Sequence, residues 1–120
     1  MNILISNENK IPIYEQLINS IRTEILTGRA KQDDPLPSIR SLSKSLEISV
    51  ITVKRAYDEL EKAGLIYTIP GKGSFVSAQE IERIREYKLL QLQEELLDIL
   101  KSAEEYGISK ETIIKLIELL

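Results

Sequence analysis

The stretch Leu36–Val76, LPSIRSLSKSLEISVITVKRAYDELEKAGLIYTIPGKGSFV, decides the fold. Pro37 cannot continue a preceding helix and suits the first turn of the next, and Ser38 is available to cap it. Ile39, Leu42 and Leu46 then recur at helical spacing, so a short helix is expected near Ser38–Leu46. Glu47-Ile48-Ser49 breaks that helix. Ser49 is a good N-cap for a second one, its hydroxyl accepting from the Thr52 amide. Val50, Val53, Ala56, Tyr57 and Leu60 form the inward stripe expected of this second helix, and Gly64 suits a left-handed C-terminal residue. Two helices joined by about three residues make a helix-turn-helix, whose second helix can enter a major groove.

Strand formers follow. Leu65–Ile69 and Ser74–Val76 are short apolar runs around Pro70-Gly71-Lys72-Gly73, a turn with two glycines and a basic tip. A hairpin beside a helix-turn-helix is a wing. Upstream, Pro12 starts a helix in which Tyr14, Leu17, Ile18, Ile21 and Ile25 keep the i, i+3, i+4, i+7 pattern, and Gly28 ends it. Its expected task is to bury the back of the helix-turn-helix. Asn2–Ser6 is a short apolar run that either forms a local strand or packs on this first helix. Asn7–Lys10 is polar and turn-like.

The order of PIYEQLINSIRTEILTG, LPSIR, SVITVKRAYDELEKAGLI and GKGSFV resembles the GntR family of bacterial transcription regulators, over most of Pro12–Val76. The likeness implies a winged helix-turn-helix, an operator DNA partner and a repressor. One departure falls in Arg29–Pro35, RAKQDDP, where the family usually has Leu-x-Pro-Gly-Asp. Ala30, Gln32 and Asp33 replace the Leu, Pro and Gly, and only Asp34 is kept. A looser loop is expected there, with the same fold.

Beyond the wing, Ala78–Tyr106 reads as one long helix, with Leu89, Leu92, Leu96, Ile99 and Ala103 stepping by three and four. Leu90, Leu97 and Leu100 widen the stripe. Gly107 stops it, and Ser109 caps a last helix with Ile113, Leu116, Ile117 and Leu120 on one side. The expected fold is therefore mainly α with a small β-hairpin. Residues 1–77 form the winged helix-turn-helix DNA-binding domain and residues 78–120 a helical dimerisation tail. Residues Ile81–Leu120 hold sixteen Leu or Ile, more than two helices can hide between themselves. If half stayed exposed, at about 1.5–3 kcal/mol each, the unused burial would rival the stability of a small domain. A homodimer through Leu89, Leu92, Leu96, Ile99, Ile113, Leu116, Ile117 and Leu120 is expected. A short two-helix tail also resembles the YtrA-like branch of the family, which implies the same.

Net charge is −3, which at first argues against nucleic acid, but its distribution matters more. Met1–Ala78 carries ten basic and nine acidic residues, Gln79–Leu120 six and ten, so the acidity sits in the tail. Leu36–Val76 has six basic against four acidic, a modest excess of two. With no Cys and no His, there is no thiolate chemistry, no disulfide and no expected zinc site. No paired carboxylates or phosphate loop suggest an enzyme, and no cofactor is expected. No run approaches membrane-spanning length, and the start MNILIS lacks the basic opening of a signal peptide, so a cytoplasmic location is expected.

On the second helix the candidate readers are Ser49, Val50, Ile51, Thr52, Lys54 and Arg55, because the first turn points into the groove in this motif. Ile51 and Thr52 can offer methyls to thymine, and Lys54 and Arg55 can hold phosphate or take guanine O6/N7. The plainer reading pairs Lys54 and Arg55 with Asp58 or Glu59 at helical spacing. The resemblance implies DNA contact for Arg40, against the alternative of a solvated surface arginine. Ser38 either caps or bonds phosphate as well. The family often has arginine where this chain has Val50, which favours apolar readout. Gly71, Lys72 and Gly73 form the wing tip, the glycines allowing close backbone approach and Lys72 supplying charge. A winged-helix module that binds protein and not DNA is the alternative, kept open by the low basic excess.

Overall fold

The computed structural model describes residues 1–8 and 10–120, and it forms two compact units, Met1–Glu82 and Arg83–Leu120. In the first unit, α1 runs Ile13–Leu26, α2 Ile39–Leu46 and α3 Val50–Lys62. Strands β1 (Ile66–Ile69) and β2 (Gly73–Val76) pair antiparallel, with Ile66 opposite Val76 and Ile69 opposite Gly73. The helix α4 starts at Ile81 and ends at Glu105, and α5 spans Lys110–Leu119.

Local chemistry accounts for most helix ends. Ser38 Oγ accepts from the Ser41 amide at 3.0 Å, and Ser49 Oγ from the Thr52 amide at 3.1 Å. Each satisfies an amide that the first helical turn leaves without a backbone partner. Between them, α2 closes on Glu47, which takes a left-handed conformation at φ 56° while the Ile48 amide donates to the Ser43 carbonyl at 3.1 Å. Gly64 closes α3 at φ 79°, where a Cβ would also meet the Glu80 side chain at 3.2 Å.

The core lies where α1 and α3 meet, and α2 and β1 complete it. Leu17, Ile21 and Ile25 of α1 face Val53, Ala56, Tyr57 and Leu60 of α3, and all are buried. Leu36, Leu42, Leu65, Ile66 and Val76 extend it. Burying seven aliphatic side chains completely, at about 1.5–3 kcal/mol each, is the main force holding the unit together. Val50 departs from the expected stripe. It is 47 % exposed, because the cover over α3 begins only at Val53.

The Arg29–Pro35 connector is not loose. The Asp33 amide donates to the Val76 carbonyl and the Val76 amide to the Asp34 carbonyl, both at 2.9 Å. Pro35 bridges Phe75, so the connector lies along β2 as a further edge. Asp33 takes the left-handed turn itself at φ 69°. Among the described residues Asn2–Ser6 joins no sheet. It lies on α1, with the Leu4 amide on Ser20 Oγ at 3.2 Å and the Ser6 amide on Gln16 Oε1 at 2.7 Å. Asn7 and Glu8 form a turn, and Asn9 of the expected Asn7–Lys10 turn lies outside the described residues.

The second unit is simpler. The helix expected from Ala78 begins three residues later: Gln79 and Glu80 form a turn, across which the Ile81 amide donates to the Ala78 carbonyl, while the Ala78 amide donates to Gln32 Oε1. Gly107, at φ 71°, ends the helix, and Ser109 Oγ caps α5 at 3.2 Å from the Thr112 amide. Ala103 is buried at this turn and Leu100 and Ile113 are half-buried. The other tail positions singled out by the pattern, Leu89, Leu92, Leu96, Ile99, Leu116, Ile117 and Leu120, are all exposed. No helix is long and apolar enough to cross a membrane among the described residues.

Candidate nucleic-acid interface

The candidate interface centres on α3, which is anchored from three directions. Tyr57, buried in its middle, donates its hydroxyl to the Pro37 carbonyl at 2.7 Å and so fixes α3 against the start of α2. Burial pushes that phenol well above its usual pKa range. Near the other end, Glu61 Oε1 accepts from the Thr68 amide at 3.0 Å and ties the wing to α3. On the α1 side, the Arg55 guanidinium lies 3.8 Å from the centre of the Tyr14 ring. Such a stack is worth about 0.5–1 kcal/mol at an exposed site.

These anchors sort the candidate residues. Arg40 on α2 and Lys72 at the wing tip are exposed, and among the described residues neither has an ion-pair partner. Ser38 and Ser49 are exposed but already serve as caps. Val50 and Ile51 are exposed and the Thr52 hydroxyl shares a 2.7 Å bond with Ser49 Oγ. Lys54 Nζ is 2.9 Å from Asp58 Oδ2, the plainer pairing for that residue. Arg55 is on Tyr14, a pairing absent from both sequence alternatives. Gly71 and Gly73 take positive φ of 80° and 117°, and the Lys72 amide closes the turn onto the Ile69 carbonyl at 2.9 Å.

Several supporting contacts escape sequence reasoning. Tyr67 and Phe75 stack across the hairpin at 5.5 Å between ring centres. The Tyr67 hydroxyl continues to Asp33 Oδ1 at 2.6 Å, and its hydrogen bond holds that carboxyl below the usual carboxylate range. The same bond raises the Tyr67 phenol. The aromatic pair itself is visible in the strand runs, but its link to Asp33 is not. Among the described residues no group of three or more acidic, His or Cys side chains could hold a metal.

Taken together, the first unit presents a buttressed helix that exposes Val50 and Ile51 at its start, beside an arginine and a glycine-flanked lysine that have no ion-pair partner among the described residues. That arrangement can insert a helix into a groove and hold phosphate at two flanks. Residues 13–76 match the model for bacterial regulatory proteins of the gntR family. The transcriptional repressor YtrA of Bacillus subtilis is 33 % identical over 111 residues, covering 92 % of this chain and 85 % of the repressor. A GntR family transcriptional regulator from Listeria monocytogenes aligns with a TM-score of 0.73 at 35 % identity, over 94 % of this chain and 98 % of its own. The DNA-binding domain of AraR in complex with operator ORE1 aligns with a TM-score of 0.54 at 27 % identity, over 64 % of this chain and 94 % of that domain.

Proposed function

We propose, from the premise that this chain belongs to the gntR family of bacterial regulatory proteins, that it represses transcription by binding a palindromic operator as a homodimer in the cytoplasm. The observation that supports this reading is the likeness, over 64 % of the chain, to the AraR DNA-binding domain, whose structure holds operator DNA. Like its relatives, the chain is a regulator and not an enzyme.

Residues 1–77 meet the DNA. The α3 helix enters the major groove, with Ser49, Val50, Ile51, Thr52, Lys54 and Arg55 nearest the bases, and Ser38 and Arg40 contact it from α2. The wing tip, Gly71–Gly73, lies along the sugar-phosphate chain with Lys72 on a phosphate. Residues 78–120 dimerise. The support is the apolar surface that α4 and α5 leave exposed, including Leu89 at 65 % and Leu120 at 97 %. A second copy covering Leu89, Leu92, Leu96, Ile99, Ile113, Leu116, Ile117 and Leu120 removes that surface from water, and a two-fold pair is the commonest arrangement. Two recognition helices then face half-sites about 34 Å apart.

Selection of bound sequences from random duplex DNA, followed by polarisation titrations at about 50 and 200 mM salt, tests this reading. A palindromic consensus is expected, with affinity falling steeply as salt rises. Failure to enrich any sequence, with no salt-dependent binding, would favour the protein-interaction module instead.

A further inference from the structure

Four β-branched residues in a row, Val50-Ile51-Thr52-Val53, open α3. This run is poor helix-forming sequence, and only Val53 is needed by the core, where it is fully buried. Ile51 is 79 % exposed, more than any other large hydrophobic side chain among the described residues of the first unit. Around it the polar groups that could read guanine or adenine already have partners within the protein, so each gives up a contact to reach a base. Lys54 is on Asp58, Arg55 is on Tyr14, and the Thr52 hydroxyl is on Ser49. What the first turn offers outward is methyl groups. Being β-branched, they are stiff at χ1 and lose little freedom on contact.

Resting on the DNA-binding reading above, we infer that Ile51, with Val50 beside it, sets operator specificity by packing against thymine C5-methyl groups in the major groove. The base pairs under the start of α3 are therefore A·T or T·A. Thymine is the base that carries a methyl group on its major-groove edge, and an aliphatic side chain discriminates by that group. Guanine, by contrast, is read by a bidentate arginine or lysine, which this turn does not present.

The experiment uses the full chain and a duplex it has selected from random DNA. Each thymine of the half-site is replaced in turn by deoxyuridine, which removes only the methyl and keeps the base pair. Binding is expected to weaken about fourfold at one or two positions, the equivalent of one methylene-sized burial, and to stay unchanged elsewhere. With Ile51→Ala the difference between the thymine and deoxyuridine duplexes should shrink at those positions, and an undiminished difference would remove Ile51 from the contact. Because Ile51 is exposed, that variant keeps the fold, which circular dichroism checks. Equal binding of every deoxyuridine duplex by the unmodified protein, or G·C pairs selected under α3, would overturn the inference while leaving DNA binding intact. Absence of any duplex binding would overturn both.

Discussion

Tyr67 donates a 2.6 Å hydrogen bond to Asp33 Oδ1, joining the wing to a connector thirty-four residues earlier in the chain. Asp33 sits there in a left-handed conformation, with its amide on the Val76 carbonyl. One tyrosine thus helps hold both the turn before α2 and the first strand of the wing, the two segments flanking the α2–α3 pair.

Because that bond lowers the Asp33 pKa, it favours the folded state above the usual carboxylate range, about pH 4, and the gain is lost as pH falls through the depressed value. Replacing Tyr67 by Phe should leave a stability difference that is constant from about pH 5 to 9 and shrinks on acidification. Denaturant melts across this range check it. Curves that stay parallel down to about pH 2 would show that the bond does not form in solution.

Glu47 carries a side chain at φ 56°, where left-handed backbone costs a residue with a Cβ about 1–2 kcal/mol. Glycine removes that cost but gains freedom in the unfolded chain, worth about 0.4–1 kcal/mol. Glu47→Gly should therefore stabilise the protein by roughly 0.5–1 kcal/mol, seen as a higher denaturant midpoint with unchanged slope. A lower midpoint would mean that the Glu47 side chain makes a favourable contact of its own.

Helices and their ends were legible because the signals are local. Ser38, Ser49, Ser109, Gly64 and Gly107 mark their boundaries within three or four residues. Long-range pairings were not. Asp33, Asp34 and Pro35 are poor strand formers, and nothing near them in sequence announces that β2 will bind their backbone. Tyr14 fits the apolar stripe of α1, so its role under Arg55 shows only once α1 and α3 are packed. Val50 has the right spacing for the stripe but lies before its cover begins. Periodicity gives the direction of a side chain and not how far the neighbouring element extends.

Arg40 is exposed on α2 and has no ion-pair partner among the described residues, so Arg40→Ala should lower operator affinity, by about 1–3 kcal/mol if the guanidinium reaches a base edge. If it holds phosphate, binding should weaken evenly across sequences and the salt slope should fall by about one. Titrations of Arg40→Ala against the selected operator and one scrambled duplex separate these. An unchanged affinity with an intact fold would remove Arg40 from the interface.

A two-fold dimer reading a palindrome is sensitive to half-site spacing. The full chain is titrated against duplexes whose two selected half-sites lie about one helical turn apart, or with about five base pairs added between them. Two chains should bind the one-turn duplex together and tightly. The added half turn puts the second half-site on the opposite face, so affinity should fall to that of a single half-site. Equal affinity at both spacings, or one chain per duplex at saturation, would mean that the protein does not read its operator as a two-fold dimer.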